Sequence, residues 1–166
     1  MTRHWILLIA LALTACGFQL RGVFALPFKE LYIAQPESSQ LRALIKRNVE
    51  ASTQTRVVAD AKDAEATLSI VSDAQQKNIL SLNSAGRVRE YQLVRTFVFR
   101  VADAKGGEFI PASTIRITRD ITFNDTTVLA KDTEETLLWH DIENDLVQQL
   151  LRRLAAARPN PKPAQG

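Results

Sequence analysis

Apolar positions along this 166-residue chain recur with two different periods, and each change of period marks a new element. Glu30–Pro36 (ELYIAQP) reads as a short strand stopped by Pro36. Leu41, Leu44, Ile45 and Val49 then fall at helical spacing. They predict an amphipathic helix that starts at a Ser38 or Ser39 cap, has Glu37 near its positive end and runs to about Ser52. Thr55–Val58 (TRVV) is a candidate short strand and Asp60–Ala66 a polar connection. From Thr67 the period becomes two, with Leu68 and Ile70 facing one way and Thr67, Ser69 and Val71 the other. The alternation loosens through Asp73–Asn83 (DAQQKNILSLN) and ends in the turn Asn83-Ser84-Ala85-Gly86, where Gly86 supplies a positive φ.

A long strand follows over Val88–Ala102. Tyr91, Leu93, Phe97, Phe99 and Val101 share one face, interrupted by Arg95; Glu90, Gln92, Thr96 and Arg100 share the other with Val94 and Val98. Asp103–Glu108 (DAKGGE) closes a second hairpin. Over Thr114–Phe123, Ile115, Ile117, Ile121 and Phe123 lie inward with Arg119 as the exception, and Thr114, Arg116, Thr118, Asp120 and Thr122 lie outward. One buried and one polar face is the mark of antiparallel strands. Leu138, Ile142, Leu146, Leu150 and Leu154, joined by Val147 and Leu151, predict a helix over Lys131–Ala157. Asp132 or Thr133 would cap it, Glu134 and Glu135 would occupy its first turn, and Arg152, Arg153 and Arg158 would suit its end. The proline-rich 158–166 reads as a disordered tail. Strands and helices are segregated along the chain, which predicts an α+β fold with two helices covering one face of a mainly antiparallel sheet.

The first 15 residues change this picture because they read as an address, not structure. Arg3 is followed by an unbroken apolar run, Trp5–Leu13, too short for a bilayer span of roughly 20 residues. Leu13-Thr14-Ala15-Cys16 then resembles the bacterial lipobox, in which the signal is removed and the cysteine, here Cys16, becomes the lipidated N-terminus. Several acyl chains give stable anchoring where one gives marginal binding. Gly17 follows the cysteine, where an aspartate does not stand, so by sorting rules the protein is expected at the outer membrane, on its periplasmic side. The alternative is an ordinary signal peptide with an incidental cysteine. One folded domain is expected over 16–157, entered by an irregular segment from Gly17 to Lys29. Phe18, Leu20 and Arg21 are too apolar for a bare tether and are expected to pack against the domain or a partner's wall.

Setting Arg3 aside from the 21 basic residues leaves 20 against 18 acidic ones, a side-chain charge of +2. That balance does not imply nucleic acid. With Cys16 as the only cysteine, no internal disulfide forms. No phosphate-binding glycine loop, G-x-S-x-G or H-E-x-x-H stands in the chain, and no cofactor is implied. His140 lies among Asp141, Glu143 and Asp145, where a solvated acidic helix face is the commoner outcome than a metal site; Trp139 reads as partly buried packing. The basic residues are more informative. Arg87 and Arg89 follow the Gly86 turn, and Lys131 stands at the start of the long helix. They serve as a solubilising loop or as a cluster of cations gripping phosphates at one end of the sheet. Arg95 and Arg119 interrupt apolar faces and need partners if buried.

Three segments resemble one family, the lipopolysaccharide-assembly lipoproteins LptE. They are Cys16–Gly22 (CGFQLRG), Arg89–Leu93 (REYQL) and Val128–Glu135 (VLAKDTEE), the last opening a helix that ends QQLLRRL. With the order of elements the likeness covers nearly the whole mature chain. It implies a two-layer sandwich of two helices on a four-stranded sheet. It implies a non-enzymatic plug inside the lumen of the outer-membrane β-barrel LptD, the pair inserting lipopolysaccharide into the outer leaflet. It also implies direct lipopolysaccharide binding through the lysine of the LAK element, Lys131 here. A second family arginine, just before the glycine turn, has no counterpart, since Asn83 and Ser84 stand there; Arg87 and Arg89 would supply the charge instead. The competing reading is a different periplasmic ligand-binding lipoprotein, for instance one that binds peptidoglycan.

Overall fold

The computed structural model describes residues 25–122 and 128–158. In chain order the elements are β1 (Glu30–Ala34), α1 (Gln40–Ser52), β2 (Arg56–Val58), a single 3₁₀ turn (Ala61–Asp63), β3 (Ala66–Leu82), β4 (Val88–Asp103), β5 (Glu108–Thr122) and α2 (Val128–Ala156). The signal segment and Phe18, Leu20 and Arg21 lie outside the described residues, as does Phe123.

The strands form one sheet of five, ordered β2-β1-β3-β4-β5. This corrects the four-stranded, mainly antiparallel expectation: β1 pairs in parallel with both β2 and β3, and only β3–β4 and β4–β5 are antiparallel. Parallel neighbours need a crossover between them, and α1 supplies it from β1 to β2. The extra strand is the three-residue β2, too short to show a period. β5 also starts six positions before Thr114, at Glu108. Pro111 hid that start, yet β5 is the outermost strand, where a missing N–H is tolerated.

Local chemistry fixes the ends. Ser39 caps α1, its hydroxyl accepting from the Arg42 N–H at 3.2 Å. Asn83 Oδ1 accepts from the N–H groups of Ala85 and Arg87, both at 3.0 Å, and Gly86 takes φ +73°, so the β3–β4 turn is built by those two residues together. Asp103 and Gly106 (φ +84°) repeat the device at the β4–β5 turn. α2 begins at Val128, so Asp132 and Thr133 are inside the helix and do not cap it, and Glu134 and Glu135 lie beyond its first turn.

Both helices press on a single core. Ile45 and Val49 of α1 and Ile142, Leu146, Leu150 and Leu154 of α2 meet Leu31, Ile33, Leu68, Phe97, Phe99 and Ile115 from the sheet. Residues 25–29 are irregular but held: Phe28 is buried, with its ring 5.3 Å from that of Phe109 in an edge-on contact. This apolar core runs from the end of the sheet where β1 and β2 lie as far as Leu93 and Ile121.

Beyond β1 and β2, ion pairs join the apolar side chains between helix and strands. Arg95 is 4% exposed, and its guanidinium donates to both Asp73 carboxylate oxygens, at 2.9 and 2.8 Å. Glu143 of α2 approaches it at 3.6 Å. Burial opposes the charge on Arg95, but the hydrogen bonds and fields of Asp73 and Glu143 outweigh it, so its pKa is raised and the group stays cationic. On either side, Lys77 of β3 reaches Glu135 and lies 4.4 Å above the Tyr91 ring, and Arg119 of β5 reaches Asp145 at 3.1 Å. Each of the three long strands thus sends one cation to a carboxylate on α2.

Two substitutions separate these regimes. Phe97→Ala is expected to lower unfolding free energy by about 3–5 kcal/mol, through lost burial and the cavity left. Arg95→Met is expected to lower it by about 3 kcal/mol, because Asp73 and Glu143 lose their counter-charge. Urea unfolding followed by circular dichroism measures both; a loss below about 1 kcal/mol for Arg95→Met would contradict the role given to it.

Candidate functional site

β3 and β4 form a hairpin far longer than β1 and β2. At about 3.3 Å per residue, the 17 residues of β3 span about 55 Å. The domain therefore has a broad end, carrying β1, β2 and residue 25, and a narrow far end, carrying the Asn83–Arg87 turn and the start of α2.

The structure brings the three cations singled out in the sequence to that far end. Arg87 closes the turn, its carbonyl accepting from Asn83 N–H at 2.7 Å. Arg89 is exposed at the start of β4, at an irregularity of the β3–β4 ladder. Lys131 Nζ lies 3.4 Å from Thr122 Oγ1 at the end of β5, and Thr122 stands opposite Glu90, the neighbour of Arg89. Lys131 is not a bare cation, however. It bonds Glu134 at 2.6 Å, three residues on, and its side chain is only 18% exposed. An anion arriving here must share or displace Glu134.

Arg95 and Arg119 do not join this group. Both are committed to the ionic layer, the structural alternative for residues of that kind. The sequence reading missed their partners: Glu143 and Asp145, taken as a solvated helix face, turn toward the sheet instead. The signal was present in spacing. Glu135, Trp139 and Glu143 recur every fourth residue beside the apolar stripe, so they ride the same side of α2. Trp139 is half-buried against the core, with Nε1 directed at Glu135 Oε1 at 3.4 Å. Among the described residues no group of three or more His, Cys, Asp or Glu side chains could hold a metal. His140 instead lines a groove of about 320 Å³ between α1 and α2, with Arg47, Glu143 and Asn144. Ala43 and Leu44 complete its lining.

The opposite face of the sheet carries no helix among the described residues. Thr114, Arg116, Thr118, Asp120 and Thr122 are all exposed there. Arg116 donates toward Thr96 Oγ1 at 3.5 Å, and Gln92 donates to Asp120 at 3.1 Å. Val94, at the centre of this face, is buried beneath its neighbours. The result is a broad, hydrogen-bonding surface along β4 and β5, while Leu80 and Leu82 near the β3–β4 turn are exposed. No described helix is long and apolar enough to cross a membrane.

Comparison with known proteins gives this arrangement a family. The model described as "LptE: Lipopolysaccharide-assembly" matches residues 28–154. The LPS-assembly lipoprotein LptE of Pectobacterium atrosepticum is 29% identical over 151 residues, covering 88% of this chain and 80% of that protein. Its Yersinia enterocolitica namesake is 30% identical over 161 residues, covering 92% and 76%. Among solved structures, an uncharacterized lipoprotein B from Nitrosomonas europaea is 40% identical with a TM-score of 0.74, over 84% of this chain and 91% of that one. The rare lipoprotein B of Shewanella oneidensis is 26% identical with a TM-score of 0.65, over 76% and 94%. The chain belongs to the LptE family, non-enzymatic lipoproteins of lipopolysaccharide assembly associated with the outer membrane.

Proposed function

We propose that this protein is tethered by lipid at Cys16 to the periplasmic side of the outer membrane and plugs the lumen of the LptD β-barrel as a single domain spanning 16–157. There it binds lipopolysaccharide through Lys131, Arg87 and Arg89 as the lipid passes to the outer leaflet. The observation that supports the plug reading best is the uncovered sheet face. A barrel lumen is polar, and a surface of threonine, glutamine and paired charge can meet it through hydrogen bonds and water.

The far end supports the lipid-binding part. Arg87 and Arg89 stand on a turn held by Asn83 and Gly86, and Lys131 is placed near them by Thr122 and Glu134. Phosphates on a lipopolysaccharide core or lipid A suit such a group, because charge-assisted bonds are the strong ones and arginine can bind two oxygens at once. Residue 25, which leads into β1, stands at the other end of the domain from these cations.

Two measurements test this with the full-length lipidated chain in detergent. It should co-purify in stoichiometric amounts with a large β-barrel protein; a chain that purifies alone would overturn the plug reading. The double variant Lys131→Asp plus Arg87→Asp should keep that partner but bind lipopolysaccharide at least about tenfold more weakly. Unchanged lipopolysaccharide binding would dispose of the cation grip and leave the plug untouched.

A further inference from the structure

Among the described residues, β1 fills the slot beside β3 only along Ala66–Ser69. From Ile70 to Leu82, β3 has β4 on one side and no strand on the other. A bare edge is a template for pairing, and proteins usually guard it with charge, proline or short length. β5, the edge at the other side of the sheet, follows that rule with Pro111, Arg116, Arg119 and Asp120. The β3 edge does not. Between Val71 and Leu82 its only charged residues are Asp73 and Lys77, and both are turned to the helix side, where Arg95 and Glu135 hold them. The remaining edge positions are uncharged, and Val71 and Ile79 are 58% and 60% exposed.

We propose that this edge pairs with the same edge of a second copy of the chain, in an antiparallel ladder whose two-fold axis passes through Gln75. The occupant follows from register and charge. Residues opposite one another in an antiparallel pair must lie on the same face. In a ladder centred on Gln75, Asp73 of one protomer stands opposite Lys77 of its partner, and Lys77 opposite Asp73. Ser72 meets Asn78 and Ala74 meets Gln76. Centring the ladder one residue either way sets both charges against neutral or apolar residues. Opposite charges directly across a strand pair are favourable and like charges unfavourable, so this register is selected by the edge's own sequence. Asp73 and Lys77 keep 27% and 37% of their side chains exposed despite their internal partners, leaving both available to the neighbour. Irregularities at Ile70/Ser72 and Ile79/Ser81 bound the regular segment, so the ladder runs over Ser72–Asn78, with Ser72 and Asn78 meeting at its ends.

Such a pair is isologous and closes on itself, with no further edge to propagate from β3. It is the form of the free chain and covers the stretch of β3 that is unguarded among the described residues. A barrel that encloses a single copy must separate the two. The pairing is therefore independent of the plug reading, and either can fail without the other.

Cysteine scanning in the full-length lipidated chain tests the ladder, since Cys16 is the only native cysteine and the wild-type chain serves as control. Gln75→Cys sits opposite itself and should give a disulfide-linked homodimer on mild oxidation. Asn78→Cys, several residues from its own copy, should not. The wild-type chain in detergent should sediment with twice the monomer protein mass. Gln75→Lys, which sets two lysines against each other, should sediment as a monomer with unchanged circular dichroism and melting temperature. The proposal is overturned by a monomeric wild type, by equal cross-linking at Gln75→Cys and Asn78→Cys, or by Gln75→Cys linking only to a different protein.

Discussion

A buried guanidinium sets the terms for the outer half of this domain. Arg95 sits on the central strand of the long hairpin, on the face that otherwise carries Leu93, Phe97 and Phe99. It has left water, so it must be met by carboxylates with good geometry or be expelled. Asp73 supplies a two-pronged partner from the neighbouring strand and Glu143 a second from the helix. An interaction of this kind adds little to net stability compared with apolar packing, but it discriminates sharply. If β4 slipped by one residue, Val94 would face the helix and Arg95 the open side. The ionic layer therefore helps fix how β3, β4 and α2 sit relative to each other beyond β1 and β2.

That division explains where the candidate site lies. Near β1 and β2, leucine, isoleucine and phenylalanine side chains from both layers give a dense core. Toward the hairpin turn, Lys77, Arg95 and Arg119 each hold a carboxylate of α2. The start of α2 and the β3–β4 turn project beyond this layer, and they carry Lys131, Arg87 and Arg89. Charge inside the sandwich is neutralised pair by pair, and the uncovered face of β4 and β5 is polar.

The sequence revealed much of this where alternation was strong. The inward series of β4 and β5 is buried at Leu93, Phe97, Phe99, Ile115, Ile117 and Ile121, and the outward threonines are exposed. The α1 and α2 stripes lie in the core as expected. What escaped had physical reasons. β2 stands at the Thr55–Val58 candidate, but parallel pairing leaves no mark in the strand itself. β3 looked loose beyond Val71 because its inward positions meet Glu135 and Arg95 there, where apolar side chains would have kept the alternation. The need of Arg95 and Arg119 for partners was legible, but the partners were not, because Asp73 and Glu143 are brought close only by the fold. Lys131 and Glu134 were read as helix-end charges; three residues apart inside a helix, they are neighbours.

Native-state hydrogen exchange along α2 tests this account most directly. If an ionic layer holds the outer half of the sandwich and an apolar core the inner half, amides of Lys131–Trp139 exchange through a partial opening. That opening has lower free energy than global unfolding and a smaller dependence on denaturant, since it exposes only part of the apolar surface, Leu138 and Trp139 included. Amides of Leu146–Leu154 then exchange only with global unfolding. One shared, steeply denaturant-dependent opening for the whole helix would contradict the account.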